Sequence, residues 1–100
     1  MRKKSEAVSD RLRRAINDLH GSGSVWIESV QVRECFAGKP VWEGEVHVFR
    51  LIGHPSAQRC YAWLTSDEQP RVVAVLHLPP VDSPVAAVRA SIVADFKGDR

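Results

Sequence analysis

Arg59, Tyr61 and Trp63 alternate with Cys60, Ala62 and Leu64 along one short stretch of the chain. Successive side chains of a β-strand point to opposite faces, so the two sets separate cleanly if this stretch is extended. The small residues Cys60 and Ala62 suit close packing under a helix. On that reading Arg59, Tyr61 and Trp63 look outward from an open sheet. Glu43, Glu45 and His47 alternate in the same way in the preceding stretch and are expected on the same outer face, with His47 beside the aromatic pair. Tyr, Trp and Arg are the residues that protein interfaces enrich at their centres. The same trio could stack on bases or on a flat ligand, at roughly 1–3 kcal/mol per stacked base. It could also do no more than stabilise the sheet through cross-strand pairs. Glu43 and Glu45 argue against a phosphate backbone lying across that face.

Other residue types capable of chemistry are present without the spacing that chemistry needs. His20, His47, His54 and His77 show no HxH or HxxxH pattern. His47 and His77 fall on strands two spacings apart, about 9.6 Å, which one zinc ion with ligands at about 2.1 Å would not span. No metal and no cofactor are expected. Cys35 and Cys60 lack the C-x-x-C spacing of zinc ribbons and redox motifs. His54-Pro55-Ser56 brings a histidine near a serine, but in a turn and with no acid to orient the histidine. Ser83 is better used as a helix cap than as a nucleophile. There is no G-x-S-x-G, phosphate-binding loop or dinucleotide fingerprint. Exposed strand carboxylates such as Glu43 and Glu45 serve solubility.

The elements that must position these residues can be read from periodicity. Val8, Leu12, Ala15, Ile16 and Leu19 fall on one face of a helix from Ser5 to His20, with Ser5 as N-cap and Gly21 as stop. Val25 to Phe36 reads as a first strand. Val25 and Ile27 share one parity, Val30 and Val32 the other, and a bulge near Glu28-Ser29 would bring both pairs to one face. Further strands follow at Val41–Ile52, Ala57–Thr65 and Arg71–Leu78, separated by Gly- and Pro-containing turns. In the second strand Trp42, Gly44, Val46 and Val48 make the core face. The fourth is nearly all apolar and reads as central or covered on both faces. Ser83 and Pro84 then open a second helix at N-cap and N1, carrying Val85, Val88, Ile92 and Phe96 on one face and closed by Gly98.

Each gap between strands is short, which suits hairpins and not parallel crossovers. The expected fold is therefore α+β: a four-stranded antiparallel meander sheet with the N-terminal and C-terminal helices packed on one face, in the order α-β-β-β-β-α. The 100 residues make one domain, with 1–4 disordered and 98–100 frayed.

The formal net charge of +2 does not call for a polyanionic partner. It is unevenly spread, with six bases and three acids in residues 1–18 against eight and nine in the rest. Arg11 and Arg14 on the first helix are accordingly the candidates for nucleic-acid contact. The longest apolar run, Val72 to Leu76, is far below the ~20 residues that span a bilayer, and the basic start leads into an amphipathic segment and not a signal peptide. The chain reads as cytoplasmic, with no membrane partner.

Taken together, these residues describe a small non-catalytic interaction module. It would work through Arg59, Tyr61, Trp63 and His47, by homodimerising or by docking another protein. The alternative is a nucleic-acid binder using the same face plus Arg11 and Arg14. A third is a small-ligand binder or enzyme with a pocket between sheet and helices, where Trp26 or Trp42 would line the space above Gly44.

Overall fold

The computed structural model describes residues 4–65 and 68–97, and side chains for 7–65 and 68–94. The expectations for the side chains of Ser5 and Phe96, for Gly98, and for residues 1–3 and 98–100 lie outside what is described. The order is α1 (Lys4–His20), β1 (Gly23–Phe36), β2 (Lys39–Ile52), β3 (Arg59–Leu64), β4 (Val72–Leu76) and α2 (Pro84–Lys97). The strands form one antiparallel sheet in the order β1-β2-β3-β4, the expected meander.

Local signals in the sequence become the boundaries of these elements. Gly21 adopts φ +71° after α1 and its N–H bonds to the Asn17 carbonyl at 2.8 Å, closing the helix. The Ser83 hydroxyl accepts the Ala86 N–H at 3.1 Å, which caps the start of α2. The β1–β2 hairpin turns on Ala37 and Gly38, with φ values of +55° and +80°, the geometry of a two-residue type I′ turn. The expected bulge exists, slightly earlier than placed. The register steps between Trp26 and Glu28, so Ile27 is the extra residue and Val25 shares a face with Val30 and Val32.

Two expectations are corrected. The helices do not share a face. Leu12 and Ile16 of α1 pack with Phe49, Leu51, Cys60 and Ala62. Val81, Ala87 and Val88 of the α2 segment pack with Val46, Val48, Tyr61 and Trp63. Cys60 and Ala62 alternate with Tyr61 and Trp63 along β3, so α1 and α2 cover opposite faces of the sheet. The physical cause is the β2–β3 register, which sets Val48 opposite Tyr61 and Phe49 opposite Cys60. The core face of β2 thus continues into Tyr61 and Trp63, and not into Cys60 and Ala62. The second concerns the bound of the fourth strand, which ends at Leu76 and not at Leu78; it lies at the edge of the sheet and, of the two arrangements expected for it, takes the one covered on both faces. Its apolar character reflects cover from both sides: Val73 and Val75 meet the α2 cluster, Val72, Ala74 and Leu76 the α1 cluster.

Candidate functional site

The residues singled out in the sequence end up in three different places. Tyr61 and Trp63 are each only 2% exposed, beneath the α2 segment, so the open aromatic sheet face does not exist in the folded chain. Trp63 meets Trp42 edge-on, with ring centroids 5.6 Å apart at 72°. His47 is buried too, but on the α1 side, because β2–β3 pairing sets it opposite Ala62. Only Arg59 of the four is exposed.

His47 sits in a chain of polar contacts that fixes its state. The Trp26 indole N–H donates to its Nδ1 at 3.1 Å, and its Nε2 lies 3.4 Å from a Glu45 carboxylate oxygen. Burial pushes its pKa below the ordinary value, partly opposed by the Glu45 charge. A ring held neutral in this way, with both nitrogens engaged, supports the fold. His54 also serves the fold, its Nδ1 accepting the backbone N–H groups of Ser56 and Ala57 at 3.0 Å each. The His54-Pro55-Ser56 motif is therefore a turn clasp and not a nucleophile with its base. Both cysteines are free. Burial raises the Cys60 thiol to about 12, which leaves almost no thiolate at neutral pH.

The polar face of α1 is also tied into the fold. An Arg11 guanidinium N–H donates to the Pro70 carbonyl at 2.7 Å, clasping the helix to the start of β4. Arg13 donates to the Ser24 carbonyl at 3.2 Å and lies 3.9 Å from Asp10. Arg14 lines a polar groove between α1 and the start of β1, together with Asp10 and Asp18. Acids interleaved with the bases make this a poor track for a polyanion. The space expected above Gly44 is filled: the Trp42 ring lies over it, 3.1 Å from where a Cβ would stand.

Two surfaces on the α2 side stand out instead. The first is the outer face of α2. Ala86, Ala90, Val93 and Ala94 line a shallow apolar groove there with Pro80 and Val81. Val93 is 50% exposed, and Phe36, at the tip of the β1–β2 hairpin, is 75% exposed. Arg89, the charged residue in the groove, donates to Glu34 at 2.7 Å. The second surface is the lower end of the sheet, where α2 leaves it uncovered. Arg50 pairs with Arg59 across β2–β3, and the His77 N–H bonds to the Arg59 carbonyl at 2.9 Å. Arg50, Arg59 and His77 thus form one row across three strands. The Tyr61 hydroxyl reaches His77 Nδ1 at 2.6 Å from within the core.

Sequence reasoning named Arg59 and Tyr61 but missed Arg50, His77 and the outer face of α2. The last had a visible signal: α2 is apolar around most of its circumference, which one sheet face cannot bury. Among the described residues no group of three or more His, Cys, Asp or Glu side chains could hold a metal ion. No helix among them is long and apolar enough to cross a membrane. Compared with protein-family models, with curated proteins and with solved structures, the chain matches none of them.

Proposed function

We propose that this chain is a non-catalytic interaction module that homodimerises through the outer face of α2. The observation that carries the reading is the apolar groove on that helix, built from Pro80, Ala86, Ala90, Val93 and Ala94. A surface helix normally turns a polar face to solvent. Here one flank of the helix is small and apolar: Ala86 and Ala90 are partly buried against the core, and Val93 and Ala94 continue the stripe into solvent. Small side chains on such a stripe let a second helix approach closely.

The partner best suited to this face is a second copy of the chain. Among the described residues that line the groove the one charge is Arg89, and Glu34 neutralises it, so nothing there selects an acidic or basic partner. An isologous contact of α2 against α2 in the partner would bury the stripe on both sides at once and satisfy the apolar requirement without a further component. The two Glu34–Arg89 pairs would lie at its polar rim.

Sedimentation across a wide concentration range tests this. The native chain should pass from monomer to dimer. Val93→Glu, at a half-exposed helical position of the same groove, should remain monomeric at every concentration with an unchanged far-UV spectrum. Leu19→Glu, on the exposed side of α1, should dimerise like the native chain. A native chain that stays monomeric throughout, or a Leu19→Glu variant that loses association equally, would sink the proposal.

A further inference from the structure

The lower end of the sheet on the α2 side places three cation-forming side chains next to one another on adjacent strands. Leu51 donates its N–H to the Gln58 carbonyl at 2.8 Å, which makes the next pair, Arg50 and Arg59, a non-hydrogen-bonded pair. In such pairs the Cα atoms approach to about 4.5 Å and the side chains lie closest. Like charges set directly opposite each other destabilise a sheet. Yet neither arginine has an ion-pair partner among the described residues, and both are exposed. His77 follows on the other side of Arg59. The row spans two strand spacings, roughly 10 Å.

The Tyr61 hydroxyl orders the third member. Burial raises its pKa, with Arg59 pulling the other way, so the phenol keeps its proton at neutral pH. It lies 2.6 Å from His77 Nδ1 and so holds the imidazole in place beside Arg59. The row then presents two exposed guanidinium groups beside an ordered imidazole, and neither guanidinium has an ion-pair partner among the described residues. Guanidinium groups match the oxygens of a tetrahedral anion in paired hydrogen bonds.

We propose that Arg50, Arg59 and His77 bind the phosphate group of a small phosphorylated ligand. The site is bounded by acids, which limits it to a single anionic group. Asp82 lies close enough for its charge to act on Tyr61, and Glu28 stands on the same side of β1, next to Val48. The other base on the α2 groove, Arg89, is engaged by Glu34. A polynucleotide would need a longer run of cations than this row supplies.

The test is a titration with inorganic phosphate at constant ionic strength, read by amide chemical shifts. The native chain should show saturable shifts centred on Arg50, Arg59 and His77, absent when chloride replaces phosphate. Arg59→Gln and Arg50→Gln should each weaken binding tenfold or more. Asp82→Asn should tighten it severalfold by removing the nearby negative charge. Arg33→Gln, on the opposite face at the far end of the sheet, should bind as the native chain does. The proposal is overturned if the shifts do not saturate, if Arg33→Gln loses as much affinity as Arg59→Gln, or if a single-stranded oligonucleotide binds these residues far more tightly than phosphate.

Discussion

The two faces of the sheet are covered by helices of opposite character. α1 is amphipathic: Leu12 and Ile16 reach the core while Arg13, Arg14, Asn17 and Asp18 face out. Its polar groups are largely spent on the fold, Arg11 on Pro70, Arg13 on Ser24, Asn17 on the Ser22 carbonyl and His20 on the Ala74 carbonyl. α2 buries Ala87 and Val88 against the other face and half-buries Ala86 and Ala90, yet its apolar groove runs on to Val93 and Ala94, which stay exposed. Covering a sheet requires one apolar stripe, and α1 supplies one and no more. The surplus on α2, and the row of Arg50, Arg59 and His77 on the same side of the sheet, are not required by the fold. The difference is the reason the functional surfaces are proposed on the α2 side, with the α1 side as scaffold.

The sharpest way to break this comparison is to test whether both faces are core. Phe49→Ala on the α1 side and Trp63→Ala on the α2 side should each destabilise the chain by about 3–5 kcal/mol in urea titrations, since both side chains are buried. A Trp63→Ala cost near zero would mean that α2 does not cover its face, and the contrast would fail.

A smaller effect should come from His47 on the scaffold side. Its pKa is lowered on folding, so the unfolded chain takes up a proton more readily. Stability should be complete above the ordinary histidine pKa of about 6.5 and decline as pH falls below it, until the folded-state pKa is passed. His47→Gln should flatten that part of the profile. A slope that persists unchanged in the variant would assign it to other groups.

The smallest effect tests the hairpin that both faces share. Ala37 holds a left-handed backbone, which costs a residue with a Cβ roughly 1–2 kcal/mol. Ala37→Asn, giving the Asn-Gly pair that type I′ turns favour, should raise stability by about 1 kcal/mol. No gain in the thermal midpoint would argue that the turn geometry differs from that described.

Much of the architecture was legible because it is set by short-range chemistry. The 3.6-residue spacing of Val8, Leu12 and Ile16, the Ser83-Pro84 start and the Gly21 stop each act within a few residues. Even the bulge followed from the parity conflict between Val25 and Val30. The error at Tyr61 and Trp63 had a different origin. A shift of one residue in pairing exchanges every side chain between faces, and nothing local fixes the β2–β3 register across the turn after Ile52. A clue was present: the run Cys60-Tyr61-Ala62-Trp63-Leu64 contains no charged residue on either parity, as strands covered on both faces do. Read in that way, it would have put the helices on opposite sides.

By itself, then, the sequence determined the elements, their order, their caps and the antiparallel pairing, because periodicity, capping and short loops are local constraints. Only the tertiary structure decided which residues share a surface. It buried Tyr61, Trp63 and His47, left α2 with an uncovered apolar side, and set Arg50, Arg59 and His77 in one row. Those outcomes depend on a register between strands and on which face each helix crosses, and both are fixed by packing between segments far apart in the chain.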